Sequence, residues 1–181
     1  MNSNLEAKQA IAEALYRYTR AMDRIDPELA KTVWHPDATV DYGLMFKGTA
    51  AEYISRVDAM HSPFDGTHHQ IGNLLIDVTG DRATSEAYVT ARCWNLSDTG
   101  ELTELIVIGR YCDRWSQRRG HWAMDHRHFV LDMMYSWVPP RLPAPTGIPS
   151  DRNRNAIEGR RGMADPSHEL MAALMHRAAL V

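Results

Sequence analysis

From the N-terminus to His61 the apolar positions recur at helical spacing, and from Thr67 onward they alternate. Ile11, Leu15, Tyr18 and Met22 mark one face of a first helix, opened by a capping box at Ser3-x-x-Glu6. Asp26-Pro27-Glu28 restarts the chain as a short second helix that runs to about Trp34, where His35-Pro36-Asp37 stops it. Ala38 to Tyr42 reads as a short strand ended by Gly43. A second capping box, Thr49-x-x-Glu52, opens a third helix whose buried face is Ile54, Val57 and His61. Thr67–Val78, Ala83–Asn95, Leu102–Trp115 and Trp122–Trp137 then read as four long strands. Turns at Gly80-Asp81, Asp98-Thr99-Gly100 and Arg118-Arg119-Gly120 separate them as hairpins. Four such strands must bury one face, and the helices before them are the natural cover. The expected fold class is therefore α+β, a curved antiparallel meander with helices packed on one side.

Beyond Trp137 the period is lost. Five prolines between Pro139 and Pro149 predict an extended arm, and Asp165-Pro166 predicts the start of a last helix with Leu170, Met171, Leu174 and Met175 as its apolar positions. The chain thus divides into a domain over 1–137 and an arm with a C-terminal helix over 138–181. That arm either completes the same domain or forms a subunit interface.

Composition narrows the function classes. A length of 181 residues suffices for a core and a ligand cavity together. A net charge of −3 with nine neutral His gives no footprint for nucleic acid. No apolar run has the length of a membrane span, and the first residues lack a signal peptide's basic and apolar regions. Cys93 and Cys112 form no C-x-x-C motif, so a reducing cytoplasm is expected. Ten Met and five Trp suit an adaptable apolar pocket or a plain core.

The candidate chemistry lies in a few polar residues near apolar faces. Asp23 follows Met22 at the end of the first helix; it reads either as a base raised in pKa by burial or as an exposed helix-end cap. His68-His69 opens the first long strand, and one of the pair must face inward. Both sets of alternating neighbours are mixed, so the pattern does not decide which. In the next strand Ala83, Ser85, Ala87, Val89, Ala91 and Cys93 form a small apolar face suited to packing beneath helices. Arg92 shares the other face with Glu86, Tyr88, Thr90 and Trp94, and reaches a cavity only if the strand bulges. Arg127 lies among apolar neighbours, as an arginine paired with a carboxylate or facing an anion does. His126 and His128 have a two-residue spacing but no third ligand at a supporting spacing, so no metal is assigned. No phosphate loop, dinucleotide fingerprint or nucleophile elbow is present.

Three stretches together carry a resemblance: Leu15-Tyr16-x-Tyr18-x₄-Asp23, Trp34-His35-Pro36-Asp37-Ala38-x-Val40-Asp41-Tyr42, and His68-His69-x-x-Gly72-Asn73. Over residues 5–137 the chain resembles the SnoaL-like branch of the NTF2-like, cystatin-like cone superfamily. Within that branch it is similar to scytalone dehydratase, bile-acid 7α-dehydratase and γ-hexachlorocyclohexane dehydrochlorinase. The resemblance implies a cone of curved, mostly antiparallel sheet wrapped around N-terminal helices. It implies a lyase without cofactor that eliminates HX from a small hydrophobic ring, a steroid or polycycle, with an isomerase or a non-enzymatic binding or assembly module as the alternatives. Asp23 and His69 fall at the positions of the family's Asp–His dyad, with His69 as base, and Tyr18 matches the tyrosine of the bile-acid dehydratase pattern. Trp34, Tyr42, Trp94, Arg92 and Arg127 would line the pocket. Where that dehydratase carries an Asp this chain has Arg92, a departure from the pattern. The resemblance further implies a homo-oligomer, a trimer in preference to a dimer.

Overall fold

The computed structural model describes residues 3–99, 101–139 and 159–170. The first helix, α1 (Ser3–Arg24), buries Ala7, Ile11, Ala14, Leu15, Tyr18, Ala21 and Met22, a stripe of helical period. The side chain of Ser3, and with it the first capping box, lies outside the described residues. A short α2 (Pro27–Lys31) follows, capped by Asp26 accepting from the Leu29 amide at 2.9 Å.

The second helix ends earlier than the pattern suggested, and β1 (Trp34–Asp41) begins sooner. Thr32 closes α2 with its hydroxyl on the Leu29 carbonyl at 2.7 Å. Pro36 then lies inside the strand rather than at a helix stop. It is tolerated there because the pairing of β1 with its neighbour is irregular between Trp34 and Thr39, where no ladder amide is needed. The alternation also missed the three-residue β2 (Lys47–Thr49), which pairs with β1. The capping box at Thr49 and Glu52 is present and opens α3 (Ala50–Ile54). The third helix is in fact two, because the chain turns at Ser55-Arg56 before α4 (Val57–His61); Ile54, Val57 and His61 are buried as expected.

Four long strands complete the sheet: β3 (Gly66–Thr79), β4 (Arg82–Leu96), β5 (Leu102–Arg118) and β6 (His121–Trp137). Residues Arg119 and Gly120 both have positive φ, 53° and 82°, which a two-residue hairpin of matching twist requires. The sheet order is β2-β1-β6-β5-β4-β3, antiparallel throughout except for the parallel pairing of β1 with β6. The result is the expected α+β arrangement, a curved sheet wrapped around α1. Ala83, Ser85, Ala87, Val89 and Cys93 form the inner face of β4, all buried. Small side chains there let α1 approach the sheet.

At the C-terminal side a 3-10 turn (Gly162–Ala164) precedes α5 (Ser167–Leu170), and Asp165 accepts from the Ser167 amide at 3.0 Å. The proline-rich arm and the apolar positions assigned to the last helix lie outside the described residues, apart from the backbone of Leu170. No helix among the described residues is long and apolar enough to cross a membrane.

Candidate active site

The end of α1 places Asp23. The Ile25 amide donates to the Met22 carbonyl at 3.3 Å, and the Asp26 amide to the Ala21 carbonyl at 2.8 Å. This pair of bonds is a Schellman ending, and it puts Ile25 in the left-handed region at φ 50°. A β-branched residue is costly there, so the helix ends under backbone strain two residues from Asp23. The two bonds from Asp23 to His69 tie this last turn to β3.

Asp23 is 7% exposed and grips His69 twice. Its Oδ1 accepts from the His69 ring Nδ1 at 2.6 Å, and its Oδ2 accepts from the His69 backbone amide at 2.9 Å. Forty-six residues separate the two. An ionised carboxylate can only accept, so Nδ1 carries a proton, and in the neutral ring Nε2 is the nitrogen that holds the lone pair. The second bond fixes the backbone beneath the ring, which sets where Nε2 points. His69 sits opposite Ala91 of β4, on the inner face. His68 pairs with Arg92 and faces the other way. Nearby, the ring of His61 lies 5.8 Å from that of His69, and its Nδ1 donates to the Val57 carbonyl at 2.9 Å. Burial holds His61 below the ordinary histidine pKa, so it stays neutral beside the pair. Burial likewise pushes the Cys93 thiol up to about 11, so it offers no thiolate.

Tyr18 does not touch this pair. It lies five residues, about one and a half turns, before Asp23 on α1. Its hydroxyl bonds that of Tyr42 at 2.8 Å. Around them Trp34, Tyr53, Tyr111 and Phe129 fill the interior by edge-on and stacked contacts. Arg127 lies in the middle, its guanidinium 3.7 Å from the centre of the Tyr111 ring and 4.3 Å from that of Tyr18. Asp113 holds it in two bonds, 2.8 and 2.7 Å, and both side chains are fully buried. Burial raises the Tyr18 phenol well above its ordinary pKa, so it remains protonated. Trp34 and Tyr42, expected from the sequence as pocket walls, are buried beside Tyr18 and Arg127.

Arg92 lines a cleft of about 360 Å³ on the outer face of the sheet, together with His68, Trp94, Leu102 and Glu104. The β4 register runs without a shift on both sides of Arg92, so no bulge turns it inward. It stays on the outer face and binds Glu104 through Nε at 2.7 Å and Nη2 at 2.8 Å. Trp94 shares that face and lies across Gly66, where a Cβ would come within 2.0 Å of its ring. Trp94 alone of the two also borders a cleft of about 220 Å³ beside Asp23, whose other walls include Thr67, Arg24, Arg160 and Arg161. His126 hydrogen bonds the Thr39 hydroxyl at 2.7 Å, and His128 lies 3.7 Å from Asp41. The two histidines therefore face separate partners, and among the described residues no group of three or more metal-ligating side chains converges.

Sequence reasoning missed His61, Asp113, Thr67 and Arg161 as parts of these sites. His61 was legible only as a buried helix position. Nothing in the spacing linked Asp113 to Arg127, or Thr67 and Arg161 to Asp23.

Comparison with known proteins agrees with this fold. The family model for the SnoaL-like domain matches residues 3–128. No curated protein matches the sequence. Among solved structures, a scytalone dehydratase-like protein from Novosphingobium aromaticivorans superposes with a TM-score of 0.66 at 23% identity, covering 82% of this chain and 98% of that one. The hexachlorocyclohexane dehydrochlorinase LinA-type3 from Novosphingobium barchaimii gives 0.66 at 16% identity, covering 78% and 97%. A protein of unknown function from Mycobacterium tuberculosis gives 0.61 at 19% identity, covering 99% and 92%. At these identities the likeness is one of fold, the NTF2-like α+β cone. Family match and cone agree, and the chain belongs to the SnoaL-like domain family.

Proposed function

We propose that this protein is a lyase, independent of any cofactor, that carries out dehydratase-type elimination on a hydrophobic ring compound such as a steroid or another polycycle. The observation that carries the reading is the double grip of Asp23 on His69, which orients the ring so that Nε2 of its neutral form is the available base. His69 takes a proton from carbon, and the C–H electron pair becomes the new double bond. The leaving group departs with its bonding pair and takes up a proton, as water when it is a hydroxyl. Asp23 stabilises the imidazolium that forms. Tyr18, kept protonated by burial and partnered by Tyr42, is the proposed donor to the departing or carbonyl oxygen. Arg127 supports the rings around it.

Both Asp23 oxygens already accept from His69, so Asp23 is a poorer base than Nε2. This favours elimination by His69 over an isomerase run from Asp23. We further propose a homotrimer. Two unbridged thiols fit residence in the reducing cytoplasm.

Incubation with a panel of hydroxysteroids, ketosteroids and halogenated rings, read by mass spectrometry, tests the reading. A product lighter by water or HX supports it. A product of unchanged mass with a shifted double bond transfers the dyad to isomerisation. Binding without turnover across the panel contradicts catalysis and leaves a binding module.

A further inference from the structure

Among the described residues, the buried side-chain polar atoms without a hydrogen-bond partner gather in two places. Trp34 Nε1 and Arg127 Nη1 belong to the aromatic cluster, where ring faces surround the guanidinium. The other three, Thr67 Oγ1 and the Nε and Nη2 of Arg161, belong to residues lining the single cleft beside Asp23. Leaving a buried donor unpaired is costly, and more so when it is charged. Three such atoms beside one cleft mark a place built for an acceptor.

Arg24, Asp23 and Asp65 at the cleft are already engaged. Arg24 bonds the Arg160 carbonyl at 2.9 Å and lies 3.2 Å from Asp165. Asp165 also accepts from the Arg160 amide at 2.9 Å, so these contacts strap the segment from Gly159 to Ser167 onto the end of α1. Asp23 is gripped by His69, and Asp65 accepts from the Leu96 amide. The charge of Arg161 is felt at His61 and at Cys93, both beside the dyad. The strap therefore delivers a guanidinium whose Nε–Nη2 edge is unmatched. That edge is the fork that fits the two oxygens of a carboxylate.

We propose that Arg161, with Thr67, binds a carboxylate carried by the ring substrate and so sets the ring beside His69. This rests on the reading of the Asp23–His69 pair as the reacting centre, and it narrows the substrate class from any hydrophobic ring to a ring acid. Arg161 is a binding residue here; it takes no proton. The Arg161 charge offsets that of Asp23, which would otherwise repel the ligand.

Calorimetric titration of the full chain with cyclohexanecarboxylate, and with the neutral cyclohexanecarboxamide, tests this apart from turnover. The wild type is expected to bind the acid and to bind the amide about tenfold more weakly or less. Arg161→Gln is expected to lose about tenfold or more in affinity for the acid, and Arg161→Lys, a point charge without the fork, to recover only part of it. His69→Ala is expected to keep binding the acid. Lys8→Gln, which removes an exposed charge on α1 far from the cleft, is expected to stay within about threefold of wild type. Equal binding by wild type and Arg161→Gln overturns the proposal, as does equal binding of acid and amide. An equal loss in Lys8→Gln overturns it too, because attraction is then only diffuse charge. Circular dichroism of both glutamine variants confirms that they fold; Arg161 Nε and Nη2 make no hydrogen bond within the chain, so no loss of structure is expected.

Discussion

At the scale of single residues, the interior depends on one ion pair. Arg127 and Asp113 are both fully buried, and each satisfies the other. Removing one partner leaves an uncompensated charge among aromatic rings, a loss of about 3–5 kcal/mol. Asp113→Ala is therefore expected to unfold at much lower urea than wild type, whereas Lys8→Ala on the exposed face of α1 leaves the midpoint nearly unmoved. Arg127 was legible in the sequence as an arginine among apolar neighbours that needs a carboxylate. Its partner was not, because Asp113 reaches it across paired strands and alternation reports faces rather than partners. Asp23 and His69 were legible by resemblance. Read alone, a carboxylate at a helix end and one of two adjacent histidines carry no mark of meeting across the fold.

At the scale of elements, the ambiguity over His68 and His69 has a physical cause. The β3–β4 register shifts between Ile71 and Leu74, so β3 carries one extra residue at Gly72-Asn73. Before the bulge His69 and Ile71 point inward; after it Leu74, Ile76 and Val78 do, and Leu75 is exposed. A strict period of two mixes these sets, which is why both looked mixed. The strands themselves were legible to within a few residues, because turns and alternation are local. The parallel pairing of β1 with β6 was not, since it joins distant segments. A second irregularity bends β5 against β6 at Gly109. A Cβ there would lie 2.4 Å from the Val130 carbonyl, a backbone atom that cannot swing aside. Gly109→Ala is expected to cost about 1–3 kcal/mol in urea unfolding, as overpacking does. An unchanged midpoint would show that the two strands separate freely at this point.

At the scale of the whole molecule, two features lie outside the cone's own packing. One is the strap. Asp165 is held down to about 2, first by the Ser167 hydroxyl and also by the Arg160 and Ser167 amides and the charge of Arg24. An unfolded aspartate titrates near 3.9. The folded pKa is the lower one, so the contribution of Asp165 is fully present above about pH 4 and is lost as pH falls towards 2. Asp165→Asn is expected to flatten the dependence of the melting temperature on pH over that interval; an unchanged slope would contradict the anchoring. The other feature is the far end of β6, where Leu131, Met133, Met134, Tyr135 and Trp137 are all exposed. An apolar end of this kind supports the proposed trimer. Light scattering on the eluting protein is expected to give the mass of three chains, and the mass of one would contradict it.

The central claim is that His69, oriented by Asp23, takes a proton from carbon. The most direct test is the turnover number of wild type, His69→Ala and Asp23→Asn on one substrate from the panel. A positioned base contributes about 10²–10⁴-fold. The account predicts a loss of that size in His69→Ala, and a loss of the same kind in Asp23→Asn, where the ring loses its carboxylate. Full activity in both variants would contradict it.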